Sequence, residues 1–293
     1  MQDFKIHHMT KTKRRKIDIL VLSDVHLGTY GCHSKELLHY LKTIKPKTVI
    51  LNGDIIDIWQ FSKRYWPKSH MKLVKHMMEW MSKGTKVWYI TGNHDEMLRK
   101  FAGLKLGSFR IVNKLVLDIG NEKQAWFFHG DVFDVTMQHS KWLAKLGALG
   151  YDTLILINRM ANFISEKLFN KGKLSLSKKI KNSVKSAVKF INDFEQTAAD
   201  IAISNQYDYV VCGHIHHPEI KEMANEHGKV MYLNSGDWIE NLTALEYANG
   251  EWCIYKFDEL ARATMTKEYA TEEEPDNDKI FEVMLAEFNA MRN

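Results

Sequence analysis

Five times along this chain a short run of branched or aromatic residues empties into a polar loop. The loops read Asp24-Val25-His26, Asn52-Gly53-Asp54, Gly92-Asn93-His94-Asp95, His129-Gly130-Asp131 and Gly213-His214-Ile215-His216. Strand side chains alternate, so residues one apart, such as Asp24 and His26, point the same way and can reach one ion. Glycine stands beside the polar residues, where a strand must turn sharply and backbone may approach a substrate. A single Asp-x-His is a weak signal, because strand ends carry polar residues by chance. Five in a row, each after an apolar run, constrain both the fold and the chemistry.

The runs between them set the topology. Residues 17–23 read as a buried strand, followed by a helix over 34–44 with Ser34 as its N-cap and Pro46 as its stop. A strand over 48–51, a helix over 69–82 and a strand over 87–90 complete a strand, helix, strand, helix, strand order. That order predicts a parallel sheet with crossover helices, an α/β fold whose ligands gather at the carboxyl ends of the strands. From residue 111 the strands become short and close: 111–112, 115–119 and 125–128. Residues 135–205 are helical by period and read as an inserted subdomain. Strands over 207–212, 230–233, 243–247 and 252–257 are expected to complete a second sheet, and 258–293 to form an acidic tail with a short helix.

Composition sets limits. The 293 residues, 45% of them hydrophobic, can bury a full core. Three widely spaced cysteines, Cys32, Cys212 and Cys253, argue against a disulfide framework. Residues 1–16 lack the apolar centre of a signal peptide, and the most apolar window, 143–157, is broken by Lys145 and Asp152. The expected location is therefore the cytoplasm. With a net charge of only +5, no nucleic-acid partner is expected. Lysines crowd 11–16 and 167–189, either as solvated faces or as a peripheral contact with an anionic membrane surface.

The polar loops supply carboxylate, amide and imidazole donors with no thiolate, a set that suits Mn, Fe, Zn or Mg. In their order and spacing they resemble the calcineurin-like metallophosphoesterases over about residues 17–257. The resemblance implies a four-layer α/β/β/α sandwich with an inserted helical lid and two divalent metal ions, Mn2+ foremost, at one edge. It implies that Asp24, His26 and His216 hold the first metal, that Asn93, His129 and His214 hold the second, and that Asp54 bridges both. Two such cations about 3.5–4 Å apart can share a hydroxide that attacks phosphorus in line, with Asp54, Asn93 and His94 as the catalytic set.

A closer resemblance rests on Gly53-Asp54-Ile55-Ile56-Asp57-Ile58-Trp59, on Gly236-Asp237-Trp238, on Pro218 and on the long insert. These are similar to the UDP-2,3-diacylglucosamine hydrolases, which cleave the pyrophosphate of a lipid-linked nucleotide sugar to UMP and lipid 1-phosphate. On that reading Asn93, His94 and Trp59 contact substrate. The insert, with Trp142, Leu146, Phe163 and Phe169 among its apolar residues, either encloses acyl chains or packs on itself or in a dimer. Two features depart from that branch: His94 stands where Arg is usual, and the run after His129-Gly130-Asp131 differs. The alternative is another phosphomonoester or phosphodiester, with His94 as general acid. A third reading is a scaffold that keeps the fold without turnover, against which every metal-ligand position is filled.

Overall fold

The structure is a computed structural model that describes residues 14–58, 65–133 and 176–263, without the side chains of 176–188, 259 and 260. Two compact units are present, Met1–Lys256 and Phe257–Asn293. The described part of the second is a short helix, α4 (Glu259–Ala263), at whose start Asp258 Oδ1 accepts the Ala261 N–H.

The first unit has two sheets. Its larger one contains β1 (Arg15–Leu22), β2 (Ile44–Asn52), β3 (Lys86–Ile90), β4 (Lys105–Leu106) and β5 (Phe109–Val112). Two later strands, β11 (Thr243–Ala248) and β12 (Glu251–Lys256), join it to give the order β12-β11-β1-β2-β3-β5-β4. β1, β2, β3 and β5 are parallel. The second sheet is β6 (Leu115–Asp118), β7 (Gln124–Phe127), β8 (Tyr209–Cys212), β9 (Glu219–Asn225) and β10 (Gly228–Asn234), in the order β6-β7-β8-β10-β9. Helices α1 (Ser34–Thr43) and α2 (Lys68–Ser82) cover the first sheet. The end of α3 (Leu176–Ser204) covers the second, completing the α/β/β/α layering.

Strand alternation builds two cores from the same strands. Ile19, Val21, Ile50, Ile90, Phe127, Val211, Leu233 and Leu245 meet between the sheets. The intervening Trp126, Phe128, Val210, Cys212 and Tyr232 face α3, which answers with Phe194, Ala198, Ala199 and Ala202. The alanines let the helix lie close to the sheet.

Four expectations are corrected. Strands 243–247 and 252–257 do not belong to the second sheet: β11 pairs antiparallel with β1, Ile19 opposite Tyr247, and covers what would otherwise be an open edge. Ser34 is the first helical residue and does not cap; its hydroxyl bonds Ser69 Oγ at 2.8 Å. Pro46 does not stop α1, which ends at Thr43; it lies inside β2. β9, absent from the sequence reading, is the outer strand of the second sheet. Of the expected insert, residues 135–175 lie outside the described residues, as do the lysines of 11–13, Trp59 and the tail beyond 263. The cysteines are unpaired. Among the described residues, no helix is long and apolar enough to cross a membrane.

His70 ties α2 to the loop after β1, its Nδ1 accepting the Gly28 N–H at 3.1 Å. Burial lowers its pKa from 6.5 to about 4, so it stays neutral in the folded chain at pH values where the unfolded chain protonates it. It therefore stabilises the fold above about pH 6.5, and that contribution fades as pH falls towards 4, by at most about 3 kcal/mol. Urea unfolding at pH 7 and pH 4.5 is expected to lose less stability in His70→Asn than in wild type; equal losses would contradict this.

Candidate metal centre

The candidate residues leave the carboxyl ends of five strands: Asp24 and His26 after β1, Asp54 after β2, Asn93 and His94 after β3, His129 after β7, and His214 and His216 after β8. The first three strands belong to one sheet and the last two to the other, so the site lies along the edge where both sheets end. Backbone bonds hold the loops together. Asp24 N donates to Gly53 O, His26 N to Asp54 O, Trp238 N to Asp24 O and Gly213 N to His129 O, all at 2.9–3.1 Å.

The loops that bear the candidate ligands are contorted. Asp24, His26, Asp54, His214 and His216 all have positive φ, between 51° and 67°. This left-handed region costs a non-glycine residue on the order of 1 kcal/mol or more, and it persists where the surroundings over-determine it. At His214 it turns the backbone N–H inward, to donate to Asp24 Oδ2 (3.1 Å); His94 N, in a loop without positive φ, donates to Asp54 Oδ1 (2.9 Å).

Two groups of side chains converge. Ligand atoms of Asp24, His26 and His216 lie within 4.8 Å of one another, as do those of Asp54, His129 and His214; His26, Asp57 and His94 form a third, overlapping group. Asn93 joins the second, its Oδ1 3.3 Å from His129 Nε2. Trp59, the remaining expected substrate contact, is outside the described residues. Trp238 is wholly buried with its ring stacked on Tyr40, which makes it a packing residue.

The donor chemistry fits divalent cations. His129 Nδ1 lies 2.9 Å from the Asn52 carbonyl, an acceptor, so it carries the proton. Nε2 of the neutral ring then presents a lone pair to Asp54 Oδ2 at 3.2 Å and to Asn93 Oδ1. Three lone pairs meet there, and only a proton or a cation reconciles them. In the first group, Asp24 Oδ1 lies 3.1 Å from His216 Nε2, and His26 Nε2 is buried with no hydrogen-bond partner among the described residues.

The site's own electrostatics point the same way. Burial opposes the charge on Asp24, yet the neighbouring His216 wins and holds its pKa at about 2. The same contest leaves Asp54 well below the carboxylate range, with His129 as the main opposing charge. The imidazoles move upward: burial opposes it, but Asp24 raises His216 to about 9, and Asp54 raises His129 well above 6.5. Without metal these rings hold protons that a cation must displace.

Sequence reasoning gave no role to several residues that position the ligands. Asp57 Oδ2 meets Nδ1 of both His26 (3.1 Å) and His94 (2.8 Å), which aims the opposite edge of each ring away from it. Asp95 gathers the Ile55 and Gly92 N–H groups and the Tyr89 hydroxyl. Asn241 Nδ2 donates to His216 O. Asp57 and Asp95 stand inside the quoted motifs; the available signal was an acidic residue three places after Asp54 or two after Asn93.

Comparison with known proteins agrees with this arrangement. Residues 17–218 match the calcineurin-like phosphoesterase family, and the chain belongs to it. It is a metal-dependent hydrolase of that dinuclear class. The chain is similar to the UDP-2,3-diacylglucosamine hydrolase of Aliivibrio fischeri, at 23% identity over 252 residues, covering 81% of this chain and 98% of the relative. Proteins of the same name from Blochmanniella pennsylvanica and Blochmanniella floridana are 23% and 26% identical, covering 71% and 70% of this chain and 82% of each relative.

Two outcomes follow from the geometry. Metal binding at pH 7 is expected to release protons, because His216 and His129 must deprotonate, so apparent affinity should rise from pH 6 to pH 9. Calorimetry of Mn2+ binding in buffers of different ionisation enthalpy reads this directly, and a buffer-independent heat would contradict it. A Cβ at residue 92 would collide with the Asp54 carboxylate and approach His129 Cδ2 to 2.8 Å. Gly92→Ala should therefore keep its fold by circular dichroism and lose metal affinity by about tenfold or more; wild-type affinity would refute the tight fit.

Proposed function

We propose that the chain hydrolyses the pyrophosphate of UDP-2,3-diacylglucosamine, or of a closely related lipid-linked nucleotide sugar, to UMP and lipid 1-phosphate. The observation that carries this reading is the likeness to the hydrolases of that name, which covers up to 81% of this chain and 98% of a relative's length. On this reading Asp24, His26 and His216 would hold one divalent ion and Asn93, His129 and His214 the other, and the Asp54 carboxylate would offset their mutual repulsion. Such a pair, when bound, supplies an activated water and neutralises phosphoryl oxygens.

The chain's own residues set the rest. Asp24 and Asp54 stay ionised because imidazoles and inward N–H groups surround them. Asp57 fixes the Nδ1 edge of His94, so Nε2 is the edge able to meet a phosphoester oxygen. Burial opposes a charge on that ring, but Asp57 and Asp54 raise its pKa, so the ring can carry a proton near neutrality.

That proton supports a second reading. A phosphate leaving group scarcely needs it, whereas an alkoxide does, and a phosphomonoester or phosphodiester would use His94 as general acid. Turnover of UDP-2,3-diacylglucosamine by Mn2+-reconstituted protein, followed as UMP and lipid phosphate, separates the two. The proposal expects both products, and turnover of bis-p-nitrophenyl phosphate alone would replace it with the second reading. Asp54→Ala should cost more activity than His94→Ala towards any substrate with a good leaving group. Towards an alkyl diester, His94→Ala should lose about 100-fold. Equal losses from the two variants on the activated substrate would undo these roles.

A further inference from the structure

Arg99 lies on the 3-10 turn Glu96–Phe101, six residues past Asn93, and belongs to neither group of candidate ligands. Its Nη2 donates to the Gly92 carbonyl at 3.3 Å and to Asp131 Oδ2. Gly92 immediately precedes Asn93, and Asp131 follows His129 by two residues. One guanidinium nitrogen thus spans the loop after β3, in the first sheet, and the loop after β7, in the second. These are the loops whose Asn93 Oδ1 and His129 Nε2 stand 3.3 Å apart. The Asp131 side chain is only 10% exposed and forms an ion pair with Arg99.

The other half of the site is held differently. Asp24, His26 and His216 are fixed through backbone bonds involving Gly53, Asp54 and Trp238 and through Asn241 Nδ2 to His216 O, all distinct from the Arg99 contacts. His94 follows Asn93 directly, and the arginine stands on the following turn, bonded to the loops themselves.

We propose that Arg99 is a positioning residue for one half of the metal centre. By clamping the Asn93 and His129 loops it sets the gap that receives the second ion, and its loss weakens that ion's binding and spares the first. This rests on the two-ion reading of the site, and the test separates the two.

The experiment titrates metal-depleted full-length protein with Mn2+, counting free ion by electron paramagnetic resonance, for wild type, Arg99→Gln, Arg99→Lys and His129→Ala. The expected result is two ions in wild type, one tight ion in His129→Ala, and in Arg99→Gln one unchanged ion and one weakened about 10–100-fold. Arg99→Lys, which retains the charge and one donor direction, should fall between. If Arg99→Gln does not fold by circular dichroism, Asp131→Asn removes the other end of the clamp and carries the same expectation. Two ions at wild-type affinity in the folded clamp variant, or equal weakening of both, overturns the role of Arg99 while the two-ion reading stands. Two undiminished ions in His129→Ala overturns that reading, and the clamp with it.

Discussion

Asp24, Asp54, Asp57, Asp95 and Asp237 are all buried along one edge of the molecule. Charge removed from water is tolerated only where donors or cations replace the water, and the local structure follows from that requirement. The backbone N–H groups of Ile55, Gly92, His94, His214 and Ile239 each donate to one of these carboxylates. The loops after β1, β2 and β8 enter the left-handed region at five candidate ligands as they bring such groups inward. Strain in the backbone and stabilisation of the carboxylates are two sides of one arrangement, and the imidazoles left beside them acquire a high affinity for protons or metal ions.

The fold holds those loops from both sides. Alternation along β7 and β8 sends one set of side chains between the sheets and the other against α3. The contact with α3 continues into the site: Phe194 packs edge-on against Phe133 and near the His214 ring, and a Cβ at Gly130 would come within 2.7 Å of the Phe194 ring. The second sheet's loops are thus backed by a helix, and those of the first by α2 through His70 and Gly28. Arg99 adds a further link across the two sheets, beside those from His129 to Asn52 and from His214 to Asp24.

The parallel strand order and the five polar loops with their candidate ligands were legible in the sequence because both follow from strong local patterns: branched runs of strand length, and hard donors at their ends. What was not legible depends on distance along the chain. β11 carries the same alternation whichever sheet it joins, and only its pairing with Ile19–Val21 decides. β9 runs Glu-Ile-Lys-Glu-Met-Ala-Asn, half-buried and polar, with too little apolar contrast to mark a strand. Asp57 gains its role from two histidines reached through separate loops, and Arg99 from a carboxylate 32 residues away. The span of 135–205 read as one insert, yet its final turns form part of the second core: Phe194, Ala198 and Ala202 are fully buried against the sheet.

The account's central claim is that two cations sit where these lone pairs converge, sharing Asp54. Anomalous diffraction at the manganese edge, from crystals of Mn2+-reconstituted protein, tests it most directly. The account predicts two peaks about 3.5–4 Å apart, one among Asp24, His26 and His216, the other among Asn93, His129 and His214, with Asp54 between them. A single peak, or a pair on other residues, would contradict it.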